Sequence, residues 1–212
     1  MTEPTTVDYP HGTRPESDLP AFARYRSFAV LLLTTGIIGW IASAILVLER
    51  LALYQDPDHV TSCDINPWVS CGQVMGTWQS ELFGVPNPLI GVVAFVVVIT
   101  TAMALLSGAR FGRWYWVGLQ AGVTLGAVFV VWLWFQALFS IYILCLYCMV
   151  VWAAMIPLFL LLTVRNLTHG IIPAPAGLVR FASEWAWMLV TISYVAVAAS
   201  VFFRFFTAFT GL

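Results

Sequence analysis

Residues 114–164 read WYWVGLQAGVTLGAVFVVWLWFQALFSIYILCLYCMVVWAAMIPLFLLLTV, 51 residues without one acidic or basic side chain. As helix, at 1.5 Å per residue, this run would extend about 76 Å, and one crossing of a bilayer core takes about 30 Å. The stretch is therefore two membrane crossings joined by a tight turn, which must fall near Ser140 to Tyr142. The second crossing opens on Cys145-Leu146-Tyr147-Cys148 and continues from Met149 to about Val164. If the run is helical, the two sulfurs lie one turn apart on one face, near the positive end of the backbone dipole, which favours thiolate over thiol. Such a pair can cycle between dithiol and disulfide at a membrane surface. The plainer reading is two small apolar residues packed in a helix.

The rest of the chain agrees with a membrane setting. Of 212 residues, 61% are hydrophobic and 9% charged, which far exceeds what a soluble core uses. Lysine is absent and the nine positive charges are all arginine, so no polybasic patch exists for nucleic acid. Residues 1–23 hold four prolines and few large apolar side chains, a composition expected of a disordered tail. The first crossing is Ser27 to about Leu53, an apolar run too long for a removable signal peptide, with Glu49 and Arg50 as a structural pair in the head-group layer. The second runs from about Pro88 to Ser107, and the fifth from Glu184 to about Phe206 after a basic connection from Arg165 to Ser183. The expected organisation is a tail at 1–23, a core at 24–164 that includes a loop at 54–87, and a connection plus last helix at 165–212.

Orientation follows from the arginines. Arg14, Arg24, Arg26, Arg110, Arg113, Arg165 and Arg180 fall on one side, against Arg50 and Arg204 on the other. This distribution puts the N-terminus in the cytoplasm. The loop at 54–87, which carries Asp56, Asp58, Asp64 and Glu81 and no Lys or Arg, then lies outside together with the Cys-x-x-Cys turn. All four cysteines share the face where disulfides persist. Arg204, inside the last crossing, must snorkel outward past Phe205, Phe206 and Phe209.

Within the loop, Ser70-x-x-Gln73 has the form of a capping box, and Cys71, Met75, Trp78 and Leu82 then recur at helical spacing. The spacing predicts a short interfacial helix with Cys71 at its first position, where the dipole lowers a thiol pKa. Cys63 precedes it in flexible chain. The Asn66-Pro67 turn between them could bring the two cysteines within disulfide reach. A redox pair and a static staple both remain open for this loop, as does four-thiolate metal binding for all the cysteines.

Taken jointly, Cys63-Asp64, Ser70-Cys71 after a seven-residue gap, Asn87-x-x-x-Gly91, and Cys145-x-x-Cys148 heading the fourth crossing resemble the vitamin K epoxide reductase family in its bacterial form. The resemblance covers roughly Ser27 to Val164. It implies an all-α membrane protein of five transmembrane helices: a four-helix catalytic bundle, one peripheral helix, and the interfacial helix in the first extracytoplasmic loop. It also implies a thiol oxidoreductase of the inner (cytoplasmic) membrane that uses a quinone, menaquinone or ubiquinone, with no metal or flavin. By resemblance Cys148 lies beside the quinone, Cys145 exchanges disulfides with Cys71, and Cys63 takes electrons from an extracytoplasmic thioredoxin-fold, DsbA-like partner. Asn87 would hydrogen-bond a quinone carbonyl, with N-capping as the plainer reading. Met75, Trp78, Phe83 and Trp152 are candidate walls of the ring pocket.

Two departures bear on substrate and partner. Vertebrate members have Tyr four residues after the second Cys of the motif; here it is Trp152, which weakens the case for an epoxide substrate or for recycling of the quinone itself. Some bacterial members carry a fused thioredoxin-like domain after the fifth crossing, whereas this sequence ends at Leu212, so the partner is expected to be a separate polypeptide. A DsbB-type oxidase has the cysteine pairs in the reverse order. A metal protein could use the four thiolates, but the crossings lack the charged or polar groups an ion path would need. A packing role draws on Gly118, Gly122 and Gly126, a small-residue seam that lets helices approach.

Overall fold

The computed structural model describes residues 20–206. Six helices follow in order: α1 (Tyr25–Gln55), the short α2 (Cys71–Met75), α3 (Asn87–Leu106), α4 (Arg113–Gln136), α5 (Leu146–Thr168) and α6 (Ala176–Arg204). A π turn at Ala137–Ile141 extends α4, and 3-10 turns occupy Ala21–Ala23 and Trp78–Glu81. Five of these segments are long and apolar enough to cross a bilayer, and no strand occurs among the described residues. The chain is an all-α, multi-pass membrane protein. The expectations for residues 1–19 and for Phe209 fall outside the described residues, while Phe22 and Ala23, expected from composition to belong to the tail, are packed against α5 and α6.

Helix α1 is the central element, packed along α3 and α5; α4 packs on α5 and reaches α1 through Trp116 and Phe28, and α6 packs on α5. The α1–α3 crossing is close because of glycine. A Cβ at Gly39 would sit 2.3 Å from the Phe95 ring, and one at Gly91 would sit 2.5 Å from Ser43 Oγ.

The α4–α5 turn falls where expected, at Tyr142, whose left-handed φ of 59° reverses the chain after the π turn. Helix α5 runs on to Thr168, so Arg165 is not in a polar connection. It is buried in the last turn, its guanidinium 3.5 Å from the Trp116 ring centre and its Nη1 donating to Asn166 Oδ1 at 3.1 Å. Helix α6 starts at Ala176, eight residues before the expected Glu184, because Pro175 presets the helical entry and Arg180 pairs with Glu184 at 2.8 Å across one turn.

Helix α6 is sewn on through backbone carbonyls. Pro157 has no N–H, which frees the carbonyl of Ala153 four residues back, and Tyr194 Oη donates to it at 2.6 Å. Arg204 does not snorkel away. Its Nε donates to the Leu138 carbonyl at 2.9 Å, and its guanidinium lies 4.3 Å from the Tyr142 ring centre. Connectivity gathers Arg24, Arg26, Arg110, Arg113, Arg165 and Arg180 at one end of the bundle. The cysteine loop, the α4–α5 turn and the end of α6 lie at the other.

Candidate active site

The loop between α1 and α3 is anchored on the last turns of α1. Glu49 and Arg50 do not pair with each other. Glu49 accepts from the Ser62 amide at 3.0 Å and lies 3.1 Å from His59 Nε2; Arg50 donates to the Met75 carbonyl at 2.7 Å and to Glu81 at 2.5 Å. Hydrogen bonds from Tyr54 and then Arg50 hold the Glu81 carboxyl below its usual range. Each residue of the expected pair thus ties down a different half of the loop.

Ser70 caps α2, its Oγ accepting from the Gln73 amide at 3.1 Å, and Cys71 is the first helical residue, as the capping pattern predicts. The expected face splits, however. Cys71 and Met75 are buried, whereas Trp78 and Leu82 are exposed, because α2 gives way at Gly76 and the 3-10 turn that follows changes the angular step. Asn66 Oδ1 accepts from the amides of Trp68 and Val69 at 3.0 and 2.9 Å, folding the Asn-Pro segment back on itself. This turn leaves the Cα atoms of Cys63 and Cys71 5.6 Å apart and joined by a disulfide. Cys63 is ordered and only 1% exposed, Cys71 0%.

Across from this disulfide, Cys145 is the N-cap of α5, its Sγ accepting from the Cys148 amide at 3.3 Å. Cys145 and Cys148 are free thiols, and Cys145 Sγ lies 3.2 Å from Cys71 Sγ. Three sulfurs, of Cys63, Cys71 and Cys145, fall within 4.8 Å of one another, but two are spent in the disulfide and offer no thiolate to a metal.

Inward from the cysteines lies a cavity of about 500 Å³, walled almost wholly by apolar groups. Cys145, Cys148, Met75, Asn87 and Trp152 all line it. Trp78 and Phe83 do not; they lie exposed against Trp132 and Phe129 of α4. Asn87 is itself the first residue of α3 and caps nothing. Its Nδ2 donates to the Gln79 carbonyl at 2.6 Å, and its Oδ1 is buried with no partner among the described residues.

Sequence reasoning missed Gln79. It is 5% exposed, lines the cavity, and its Nε2 lies 3.4 Å from both Gln136 Oε1 and Ser140 Oγ, which joins the loop to the end of α4. Its polarity beside a membrane surface was the only signal. The glycine seam divides: a Cβ at Gly126 would meet Met155 of α5 at 3.4 Å, an ordinary helix contact, but the other two have a different role from the expected one. A Cβ at Gly118 or Gly122 would meet nothing within 4 Å, so these residues open the cavity along α4 instead of letting a helix approach.

Paired cysteines at the mouth of an apolar cavity, inside a bundle of membrane-crossing helices, define a membrane redox protein. The sequence model for the vitamin K epoxide reductase family matches residues 30–163, most of the chain, and the protein belongs to that family. Membership makes it an oxidoreductase of a family that generally uses quinone. No curated protein matches the chain.

Proposed function

We propose that this protein oxidises an extracytoplasmic thioredoxin-fold, DsbA-like partner and passes the electron pair to a membrane quinone, thereby supporting disulfide formation. The observation that carries the reading is the 3.2 Å separation of Cys71 Sγ and Cys145 Sγ, one from each cysteine pair. Sulfurs at that distance are within the range of a near-attack arrangement.

The relay is a series of exchanges. A partner thiolate attacks Cys63 of the loop disulfide and releases Cys71 as thiolate; a second partner thiol then resolves the mixed disulfide, leaving the partner oxidised and the loop pair reduced. The Cys71 thiolate attacks Cys145 of a Cys145–Cys148 disulfide and releases Cys148. Cys63 then resolves the Cys71–Cys145 bond, regenerating the loop disulfide and leaving Cys145 and Cys148 as the dithiol. The arrangement described above, with the loop pair oxidised and the Cys-x-x-Cys pair reduced, corresponds to that stage.

A quinone supplies an acceptor for two electrons and two protons. The residues suit it: the cavity is apolar, and the one unpaired buried amide oxygen among the described residues, Asn87 Oδ1, belongs to a cavity-lining side chain. Asn87 would present its second N–H to a carbonyl and its Oδ1 to a hydroxyl, so one side chain serves both redox forms. Met75 and Trp152 would flank the ring. The membrane orientation, cysteines outward, rests on the arginine distribution.

The test is electron transfer in purified protein, with quinone absorbance as the readout. Dithiothreitol should drive quinone reduction in the wild type and in Cys71→Ala, but not in Cys145→Ala or Cys148→Ala. The protein partner should drive it in the wild type alone. If Cys71→Ala leaves partner oxidation untouched, the loop disulfide is a staple and the relay reading is wrong.

A further inference from the structure

The two ends of the cysteine loop are tied together twice. One tie is the Cys63–Cys71 disulfide. The other is Asp64, whose Oδ1 accepts from Ser70 Oγ at 2.6 Å and from the Gly72 amide at 3.1 Å, and whose Oδ2 accepts from the Thr61 amide at 2.8 Å. One carboxylate thereby holds the chain before Cys63 and the residues on both sides of Cys71. The Gly72 amide is shared with Thr61 Oγ1 at 3.2 Å, and Thr61 and Ser70 are buried.

The tie extends to the other cysteine pair. Ser70, one partner of Asp64, donates its amide to the Leu144 carbonyl at 3.0 Å, and the Leu144 amide donates to the Trp68 carbonyl at 2.8 Å. Leu144 immediately precedes Cys145. Hydrogen bonds therefore connect Asp64 through Ser70, the cap of α2, to Leu144, the chain neighbour of Cys145. Burial alone would raise the Asp64 carboxyl, but the bonds from Ser70, Thr61 and the Gly72 amide outweigh it and hold the group below the usual carboxylate range, so it is charged at neutral pH.

These ties matter when the disulfide is open. Once a partner has reduced it, nothing covalent keeps Cys71 opposite Cys145. A thiol on a flexible tether presents itself at an effective concentration of roughly millimolar, and a well-held one at orders of magnitude more. We propose that Asp64 is a positioning residue that replaces the disulfide as the tie in the reduced loop, keeping Cys71 sulfur at Cys145 so that exchange occurs in place, without a swing of the loop. This rests on the relay reading above. It asks of Asp64 no contact with quinone and no proton transfer.

The experiment uses the full chain in lipid nanodiscs, in the Cys63→Ala/Cys148→Ala background, where Cys71 and Cys145 are the only thiols and the covalent tie is gone. The protein is equilibrated with graded mixtures of reduced and oxidised dithiothreitol. The reagent takes two electrons and two protons from the thiols as the Cys71–Cys145 disulfide forms, and mass mapping without reduction counts the joined peptides. With Asp64 present, the cross-link should hold in most molecules at millimolar reduced reagent. Asp64→Asn should lower the effective concentration at least tenfold, and Ser70→Ala, which keeps the charge but removes one of the Asp64 bonds together with the cap on the Gln73 amide, should lower it by less. Circular dichroism checks that each variant keeps its helices, and Ser70→Ala carries the test if Asp64→Asn does not fold. Equal cross-linking with and without Asp64, or with and without Ser70 Oγ in that case, overturns the positioning role and leaves the relay standing. No cross-link even with Asp64 present overturns the relay and this inference with it.

Discussion

Replacing Asn87 with Ala removes two things the structure separates. The first is the 2.6 Å bond to the Gln79 carbonyl, which would leave that carbonyl short of a donor at a loss of about 1–3 kcal/mol of stability. The second is the free part of the amide, the unpaired Oδ1 and the second N–H, at the cavity wall. A neutral hydrogen bond to bound quinone contributes about 0.5–1.5 kcal/mol, and one to an oxygen gaining negative charge about 1.5–3 kcal/mol. At 1.36 kcal/mol per factor of ten, quinone KM should rise about 2- to 13-fold and kcat/KM should fall about 13- to 160-fold, so kcat itself should fall about 5- to 13-fold. The assay is dithiothreitol-driven quinone reduction over a range of quinone concentrations, with a thermal melt for each variant. Asn87→Asp should be at least as impaired, because a carboxylate cannot donate and repels the developing charge. A kcat within twofold of wild type in folded Asn87→Ala would refute the assignment of Asn87 to the quinone.

Three further outcomes are expected. A Gly122→Leu side chain enters open cavity space, so the variant should fold with unchanged melting but raise quinone KM at least tenfold; an unchanged KM would move the quinone away from the glycine face of α4. A membrane-impermeant maleimide should reach Cys63 in intact cells only after mild reduction, and slowly, since the residue is 1% exposed; labelling only after lysis would invert the orientation. Purified protein should hold less than one zinc or copper per chain and keep its quinone reduction in chelator, whereas stoichiometric, chelator-sensitive metal would favour a thiolate metal site.

What could be read from the sequence was whatever rests on length, charge or local hydrogen bonding. The crossings, the turn at Tyr142, the Ser70 cap and the place of Cys71 at the start of α2 all belong here, because each is fixed within a few residues of chain. Readings that needed the partner of a polar group did not transfer. Glu49 and Arg50 are adjacent in sequence and read as a pair, yet each satisfies a separate segment of the loop. Arg204 is expected to snorkel outward, because a cation in a crossing needs water or a partner. The partner, the Leu138 carbonyl, is 66 positions away in sequence.

The membrane itself accounts for the other misses. In a soluble protein the apolar face of a helix marks the inside, so a wheel tells which residues meet the core. Here lipid is as apolar as the interior, and nothing in the pattern says which aromatic side chains face the cavity. Trp78, Phe83 and Trp152 were equivalent on composition, but only Trp152 lines it. Trp152 also lies between the central cavity and an apolar groove formed by α5 and α6, and in that wall it packs with Leu138, Leu144 and Phe205. Phe205 stands outside the matched span of 30–163, next to the Arg204 that grips the α4–α5 turn. The peripheral helix therefore backs the Trp152 wall without lining the cavity itself, and it is held there by contacts that hydropathy cannot report: a phenol and a guanidinium on carbonyls of α5 and of the π turn that ends α4.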